Sequence, residues 1–397
     1  MARPMPVPEP VTIATFPSIC TWPSSSCTAL AGLPILTYFC DQVKRCPGER
    51  NGVSGQRLKR PTMRDVAARA GVSAQTVSNL VNGRTHLMTE ETRERVSSAM
   101  AELGYHPNSA ARGLRSARSY TLAFLVLDQD ARFLADPMTD LIIAGIGDIA
   151  RDRGYGVLIQ AGRPDRASDA LLTPLLEHRA DGAFLFLSGE PELRRWYAQR
   201  IVELGAPAVV FEQVEEAPNI TSLTAADRDG ARRLAEHLLS KGHRRIAFVA
   251  ARVPWPMIEQ RRRGYRDALG AAGVEVDPGL ERFEGTWGTQ LGPALVDQLL
   301  RLEDPPTAIM CGNDLLALGV LQELRRRKLR VPADVAVTGF NNFDFAEFVD
   351  PPLTTVRTPG YEMGRAGAQN LIDALEGIGS GERRLEFPVE LVLRDSA

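Results

Sequence analysis

Cysteine and histidine are scarce, five of each in 397 residues, and neither is laid out for chemistry. Cys20, Cys27, Cys40 and Cys46 crowd the amino-terminal end at gaps that match no common zinc spacing. His86, His106, His178, His237 and His243 are scattered just as loosely, so no bound metal is expected. A Gly-x-Ser-x-Gly elbow is missing, and Gly145-Ile-Gly147 falls inside a helical pattern instead of following a strand, which removes the usual dinucleotide loop. Catalytic residues and a cofactor are therefore not expected. The apolar stretch Ala29 to Cys40 is too short to span a bilayer and lacks the basic start and cleavage site of a secretion signal. Residues 1–60 scatter Pro, Ser, Thr and Cys without helical or strand period, and a disordered extension is the expectation. Translation starting close to Met63, or a little upstream, is the alternative.

Order begins at Pro61. Thr62 can cap a helix whose third residue is Asp65, each satisfying the other's backbone. Gly71 ends that helix with a left-handed turn, and Ser73 can cap a second one from Ala74 to Asn82. Val66, Ala67, Ala70, Val72, Val77 and Leu80 are spaced to bury small faces between two short helices, leaving Ala74, Gln75, Ser78 and Asn79 outside. A third helix follows, capped by Thr89, with Glu90 and Glu91 at its positive end and Val96, Met100 and Leu103 at helical spacing. The first pair by itself also fits a plain polar hairpin. Charge separates the two readings: Arg57 to Arg118 holds eleven Lys and Arg against five Asp and Glu, a surplus of six in a chain of net −2, which leaves −8 elsewhere. A basic head on an acidic body is what an electrostatic grip on DNA phosphates requires. In a major groove, Gln75 and Asn79 can bond adenine edges and the Ala74 methyl can touch thymine, while Thr76, Ser78 and Asn82 suit phosphate oxygens.

Asp65-Val66-Ala67, Ala70-Gly71-Val72-Ser73, Thr76-Val77-Ser78, Asn82, Thr92-Arg93-x-x-Val96 and Gly104-Tyr105-x-Pro107-Asn108 occur in this order. Together they resemble the headpiece of the lactose-repressor (LacI/GalR) family of bacterial transcription regulators. Two departures stand out. Asn79 occupies the family's variable reading position, and the loop Gly83 to Met88 is about one residue longer than the pattern. Asn108 to Arg115 is similar to the family's hinge helix, which orders on DNA and wedges a leucine into the minor groove. Leu114 is the matching residue, with Arg115 beside it. Physical reasoning agrees, since a short helix with one exposed Leu, weakened by Gly113 at about 1 kcal/mol, gains little by folding alone. An ordinary linker is the plainer alternative.

After Ser119 the chain alternates buried strands with amphipathic helices. Strands are expected at Leu122–Leu127, Val157–Ile159, Ala183–Phe186, Ala208–Phe211, Ile246–Ala250, Ala308–Cys311 and Val335–Phe340, and Met138 to Arg153 reads as the first helix. Strict alternation calls for parallel sheets covered on both faces, and the remaining length calls for two lobes. The resemblance implies the same: a small all-α helix-turn-helix domain (61–106), a hinge helix (107–119), and an α/β two-lobed core (120–397) like that of periplasmic sugar-binding proteins.

Ligands of open α/β sheets bind beyond the carboxyl ends of strands. Asn313-Asp314 and Asn341-Asn342 follow two such ends, and Arg261 lies in the helix after a third. Trp287 could stack on a sugar face, although a buried core tryptophan explains it equally. The resemblance aligns Arg261, Asn313 and Asn341 with ligand contacts. Asn341 replaces the usual Asp, so the effector is expected to differ. Asp314 reads as a helix-start residue instead of a ligand. The resulting expectation is a cytoplasmic, homodimeric repressor that reads a pseudo-palindromic double-stranded operator and answers to a small molecule, a sugar in the first instance. A periplasmic-type sugar receptor is the second reading; it calls for a signal peptide and no DNA-binding head.

Overall fold

The computed structural model describes residues 61–81, 84–105, 118–128, 133–163, 167–252, 255–285, 288–379 and 382–397. Asn82, Leu114, Arg115 and Trp287, with the hinge segment and residues 1–60, lie outside these ranges. The described chain forms two compact units, divided after Tyr105.

The first unit holds three helices, α1 (Met63–Ala70), α2 (Ala74–Val81) and α3 (Glu90–Glu102). Thr62 caps α1 as the sequence requires: its hydroxyl accepts from Asp65 N at 3.4 Å while Asp65 Oδ2 accepts from Thr62 N at 2.7 Å. Gly71 closes the helix at φ 65°, a conformation that costs other residues steric strain. Ser73 Oγ then accepts from Thr76 N at 3.1 Å and starts α2. Val66, Ala67, Ala70, Val77, Val96 and Ala99 form the small core. Arg95 on α3 donates from Nη2 to Ala70 O at 2.8 Å, so a cation sits at the carboxyl end of α1 and ties α3 to it.

The second unit is built on two parallel sheets. Six strands lie in the order β2 (Gly156–Gly162), β1 (Thr121–Leu127), β3 (Gly182–Leu187), β4 (Ala208–Phe211), β5 (Ile220–Ala225) and β11 (Arg384–Phe387). The second sheet is β7 (Glu281–Glu284), β6 (Ile246–Ala251), β8 (Ala308–Cys311) and β9 (Ala336–Thr338). A two-stranded antiparallel ribbon, β10 (Thr355–Arg357) with β12 (Glu390–Val392), joins the lobes. β1 and β3 are buried along almost their whole length, the continuous apolar run expected of strands covered on both faces.

Helices α4 (Pro137–Asp152) and α11 (Gly360–Glu376) pack on the first sheet, and α7 (Asp227–Ser240) packs along α8 (Pro256–Ala271). Both seams are glycine-lined. A Cβ on Gly145 would lie 2.1 Å from Tyr361 O, and one on Gly264 would lie 2.1 Å from Arg228 O, so only glycine allows these backbones to meet. The expected helix from Met138 to Arg153 starts one residue earlier because Pro137 is its first residue and Asp136 its cap, accepting from Met138 N at 2.8 Å. Among the described residues no helix is long and apolar enough to cross a membrane, and no group of His, Cys, Asp and Glu could hold a metal ion.

Candidate DNA-reading face and effector cleft

The outer side of α2 presents Ala74 and Gln75 exposed, with Thr76 and Asn79 half-buried. Gln75 Nε2 donates to Asn79 Oδ1 at 3.1 Å, so the two amides hold each other in one turn-to-turn pair that leaves Gln75 Oε1 and Asn79 Nδ2 unused by it. Thr76 is the partner of the Ser73 cap, hydroxyl to hydroxyl at 2.9 Å. Ser78 corrects the sequence reading. Expected outside as a phosphate contact, it is only 6% exposed. It follows Val77 on the arc facing the other helices, where a side chain as small as serine fits the seam.

The cleft lies between the carboxyl ends of the two sheets. Asp128 follows β1, Phe186 is near the end of β3, and Glu212 follows β4. Trp255, Met257 and Arg261 come from the start of α8, Asn313 from the end of β8, and Asn341 from the turn after β9. With Asp136, Met138 and Thr139 they line a cavity of about 40 Å³. That is room for a few waters and far less than the roughly 300 Å³ at which ligand pockets begin, so a sugar ring needs the lobes further apart. On the other side of Glu212 a groove of about 660 Å³ opens along the ends of β5 and β11.

Arg261 is the hub. It is 3% exposed and donates from Nε to Asp227 Oδ1 at 2.6 Å, from Nη1 to Gly312 O at 2.6 Å and from Nη2 to Asn341 Oδ1 at 3.1 Å, with its guanidinium carbon 3.8 Å from the centre of the Phe340 ring. Sequence reasoning offered it as a ligand contact; three of its five N–H groups are committed to the protein itself. Asp227 and Glu212 are buried together beside it. Burial raises both above the ordinary carboxylate range, the Asp227 charge raises Glu212 further, and the Arg261 charge draws both back. Arg261 is bonded to Asp227 and not to Glu212, so Asp227 is the ion-pair partner and Glu212 is the carboxyl pushed up further.

Asn341 is oriented by what Arg261 can accept, which is nothing. Asn341 must turn its oxygen toward Arg261, and that oxygen also accepts from Thr358 Oγ1 at 3.3 Å. Its Nδ2 is the group left for a ligand. The backbone there runs through two positive φ values, 108° at Asn341 and 55° at Asn342, a turn that asparagine tolerates better than most residues. Asn313 caps α10 (Asp314–Arg326), its Oδ1 accepting from Leu316 N at 2.8 Å, so it too has an Nδ2 donor to offer. Asp314 is fully buried in the first turn, where its carboxylate accepts from Thr355 Oγ1 at 2.6 Å and Phe343 N at 2.8 Å. It is a structural group, as its position implied.

The residues that sequence reasoning missed come mostly from the first lobe. Asp128, Phe186 and Glu212 all stand at carboxyl ends of strands that had been identified, so applying the strand-end rule to both sheets would have found them. Trp255 and Phe186 are the aromatic pair among the described residues of the cleft. The Trp255 ring lies 4.6 Å from that of Phe186, and its Nε1 is buried with no partner among the described residues.

A three-helix head with one exposed reading helix, in one chain with a two-lobed α/β core that holds a polar cleft and with basic residues flanking the head at 57–60 and 112–118, is the arrangement of a ligand-controlled, sequence-specific DNA-binding protein. Residues 62–108 match the model for bacterial regulatory proteins of the lacI family, and residues 235–397 match that for periplasmic binding protein-like domains. The HTH-type transcriptional repressor CytR of Escherichia coli K12 is 34% identical over 340 residues, 84% of this chain and 96% of that protein. The HTH-type transcriptional regulator CelR of Thermobifida fusca is 34% identical over 346 residues, 86% and 99% of the two chains. Among solved structures, a CelR–cellobiose complex superposes with a TM-score of 0.63 at 33% identity, covering 85% of this chain and all of that one. A lac repressor dimer bound to operator and the anti-inducer ONPF superposes at 0.73 and 29% identity, covering 85% and 99%. The chain belongs to the LacI family of bacterial transcriptional regulators.

Proposed function

We propose that this regulator is a cytoplasmic, homodimeric repressor whose hold on a pseudo-palindromic operator is set by a neutral polyhydroxylated ligand, a sugar, in the cleft between its lobes. Ala74, Gln75 and Asn79 read bases, Thr76 and Asn82 contact phosphates, and Leu114 with Arg115 forms the minor-groove wedge between a head of residues 61–106 and a core starting at 120. One head reads too few bases for gene-level specificity, and two related by symmetry supply the rest.

The observation that carries the ligand assignment is the buried indole N–H of Trp255, without a partner among the described residues and beside the Phe186 ring, in a cavity shared with two asparagines whose Nδ2 groups are donors. Such a wall offers stacking and hydrogen bonds to hydroxyl oxygens. Asp128, Asp136 and Glu212 face the same space and offer acceptors to hydroxyl groups. With Asn341 where the family has Asp, the hydroxyl pattern recognised differs. The relative solved with cellobiose makes a β-linked disaccharide the first probe. Thermal denaturation of the full-length protein against cellobiose, glucose, ribose and galactosides tests this. A ligand at a hundred times its Kd stabilises by about 2.7 kcal/mol. Trp255→Phe, which keeps the ring and loses the N–H, is expected to weaken the bound sugar about tenfold. If no sugar shifts the transition, or Trp255→Phe binds as the parent does, this reading of the cleft is wrong.

A further inference from the structure

The chain rejoins the core at Arg118, and its first three residues there are held unusually firmly. Asp181, the residue just before β3, accepts from Ser119 N at 2.6 Å and Ser119 Oγ at 2.9 Å on Oδ1, and from Tyr120 N at 2.7 Å on Oδ2. Its own N–H donates to Thr121 O at 2.8 Å. Tyr120 is held at φ 51°, a left-handed conformation unusual for an aromatic residue, and its carbonyl accepts from Gly156 N at 2.9 Å. Arg118 donates to Leu375 O in the last turn of α11, the favourable end of that helix for a cation. One carboxylate thus fixes two successive backbone amides, and a bent backbone with a charge-assisted bond on each side has little freedom to swivel.

The clamp matters because of what lies at the other end of the same strands. β1 begins next to Ser119 and Tyr120 and ends at Asp128. β3 begins next to Asp181 and ends beside Phe186, and both ends line the cleft. The two strands are hydrogen-bonded neighbours in register from Leu122–Gly182 to Leu127–Leu187. They form a buried strut about 20 Å long with the ligand wall at one end and the linker clamp at the other. We propose that Asp181 is a positioning residue for regulation: it locks the linker to this strut, so that a movement of the cleft wall becomes a movement of the segment leading to the DNA-binding head. The proposal rests on the coupled operator and cleft assigned above, and adds the residue through which the coupling passes. Without the carboxylate, Ser119 and Tyr120 could reorient independently of the sheet, and the movement would be absorbed at the joint.

Linkage lets this be tested from the DNA side, without knowing the effector, since operator binding must act back on the cleft. The experiment uses full-length protein and a DNA selected by that protein from a random pool. Hydrogen exchange is followed with and without the DNA at the amides of Phe186 to Ser188, Asp128 and Glu212. In the parent, DNA is expected to change exchange at these cleft amides by about fivefold or more, the lower end of ordinary coupling. In Asp181→Ala the change is expected to fall below about twofold, while the protein still binds the same DNA sequence and its unfolding temperature shows an intact core. Asp181→Asn keeps the oxygen that Ser119 uses and loses the one that Tyr120 uses, so an intermediate response is expected; it decides the matter if the alanine variant does not fold or bind. An Asp181→Ala protein, or failing that an Asp181→Asn protein, that passes the full change to the cleft overturns the role of Asp181 alone. A parent whose cleft does not respond to DNA overturns both that role and the coupling beneath it.

Discussion

Replacing Arg261 by methionine separates two roles that a sequence alone merges. The substitution keeps much of the side-chain volume and removes the charge, leaving Asp227 and Glu212 buried with no cation and depriving Gly312 O and Asn341 Oδ1 of their donor. Breaking a buried ion pair by removing one partner costs about 3–5 kcal/mol. At roughly 2–4 °C per kcal/mol for a domain of this size class, the core transition should fall by about 6–20 °C at pH 8. The loss must also depend on pH. Both carboxyls have folded pKa values above their unfolded ones, so the folded state binds the extra protons and stability is lost as pH rises through those values. Without Arg261 to draw them back, the values rise further, and the penalty at pH 5 should be clearly smaller than at pH 8. Adding Asp227→Asn to Arg261→Met should recover part of the stability, because the orphaned charge is then gone. Circular dichroism melts of the parent and the two variants at the two pH values suffice. A fall of less than about 2 °C at pH 8, or equal losses at both pH values, would show that Arg261 is not neutralising this cluster and that its ligand-facing role is the main one.

Two further outcomes follow from the same structure. Gln75→Ala should alter the selected operator at one symmetric pair of positions, at about 1–3 kcal/mol of discrimination, whereas Ser78→Ala, on the buried side of α2, should leave the selected motif unchanged; selection on random DNA checks both. Asp314, pushed up to about 7 by burial despite its bonds from Thr355 and Phe343, makes the core lose stability between about pH 4 and pH 7, and Asp314→Asn should flatten that part of the melting-temperature profile.

How much of this was legible beforehand differs between the two units. The head was readable almost residue by residue, because capping boxes, a left-handed glycine and short helical spacing are local signals: Thr62, Gly71, Ser73 and Thr89 each do what their chemistry required. Ser78 was misread since polarity was taken for exposure, and a hydroxyl is small enough to be buried. In the core the apolar strands were legible, while Ile220–Ala225, Glu281–Glu284 and Arg384–Phe387 were not, as their polar residues interrupt any apolar run and two of them lie at sheet edges. The cleft was half-read. Asn313 and Asn341 stand where strand ends placed them, but the commitment of Arg261 to Asp227 spans 34 positions of sequence and depends on the packing of α7 on α8. No local pattern announces such a pairing.

The central claim is that one chain couples a sugar-filled cleft to an operator-bound head. The most direct test is a two-way titration of the full-length protein, measuring operator affinity at increasing concentration of whichever sugar stabilises the core, and sugar affinity with and without operator. The two factors must be equal, and on the order of 5–150-fold. Sugar that binds the core tightly and leaves operator affinity unchanged would contradict the account.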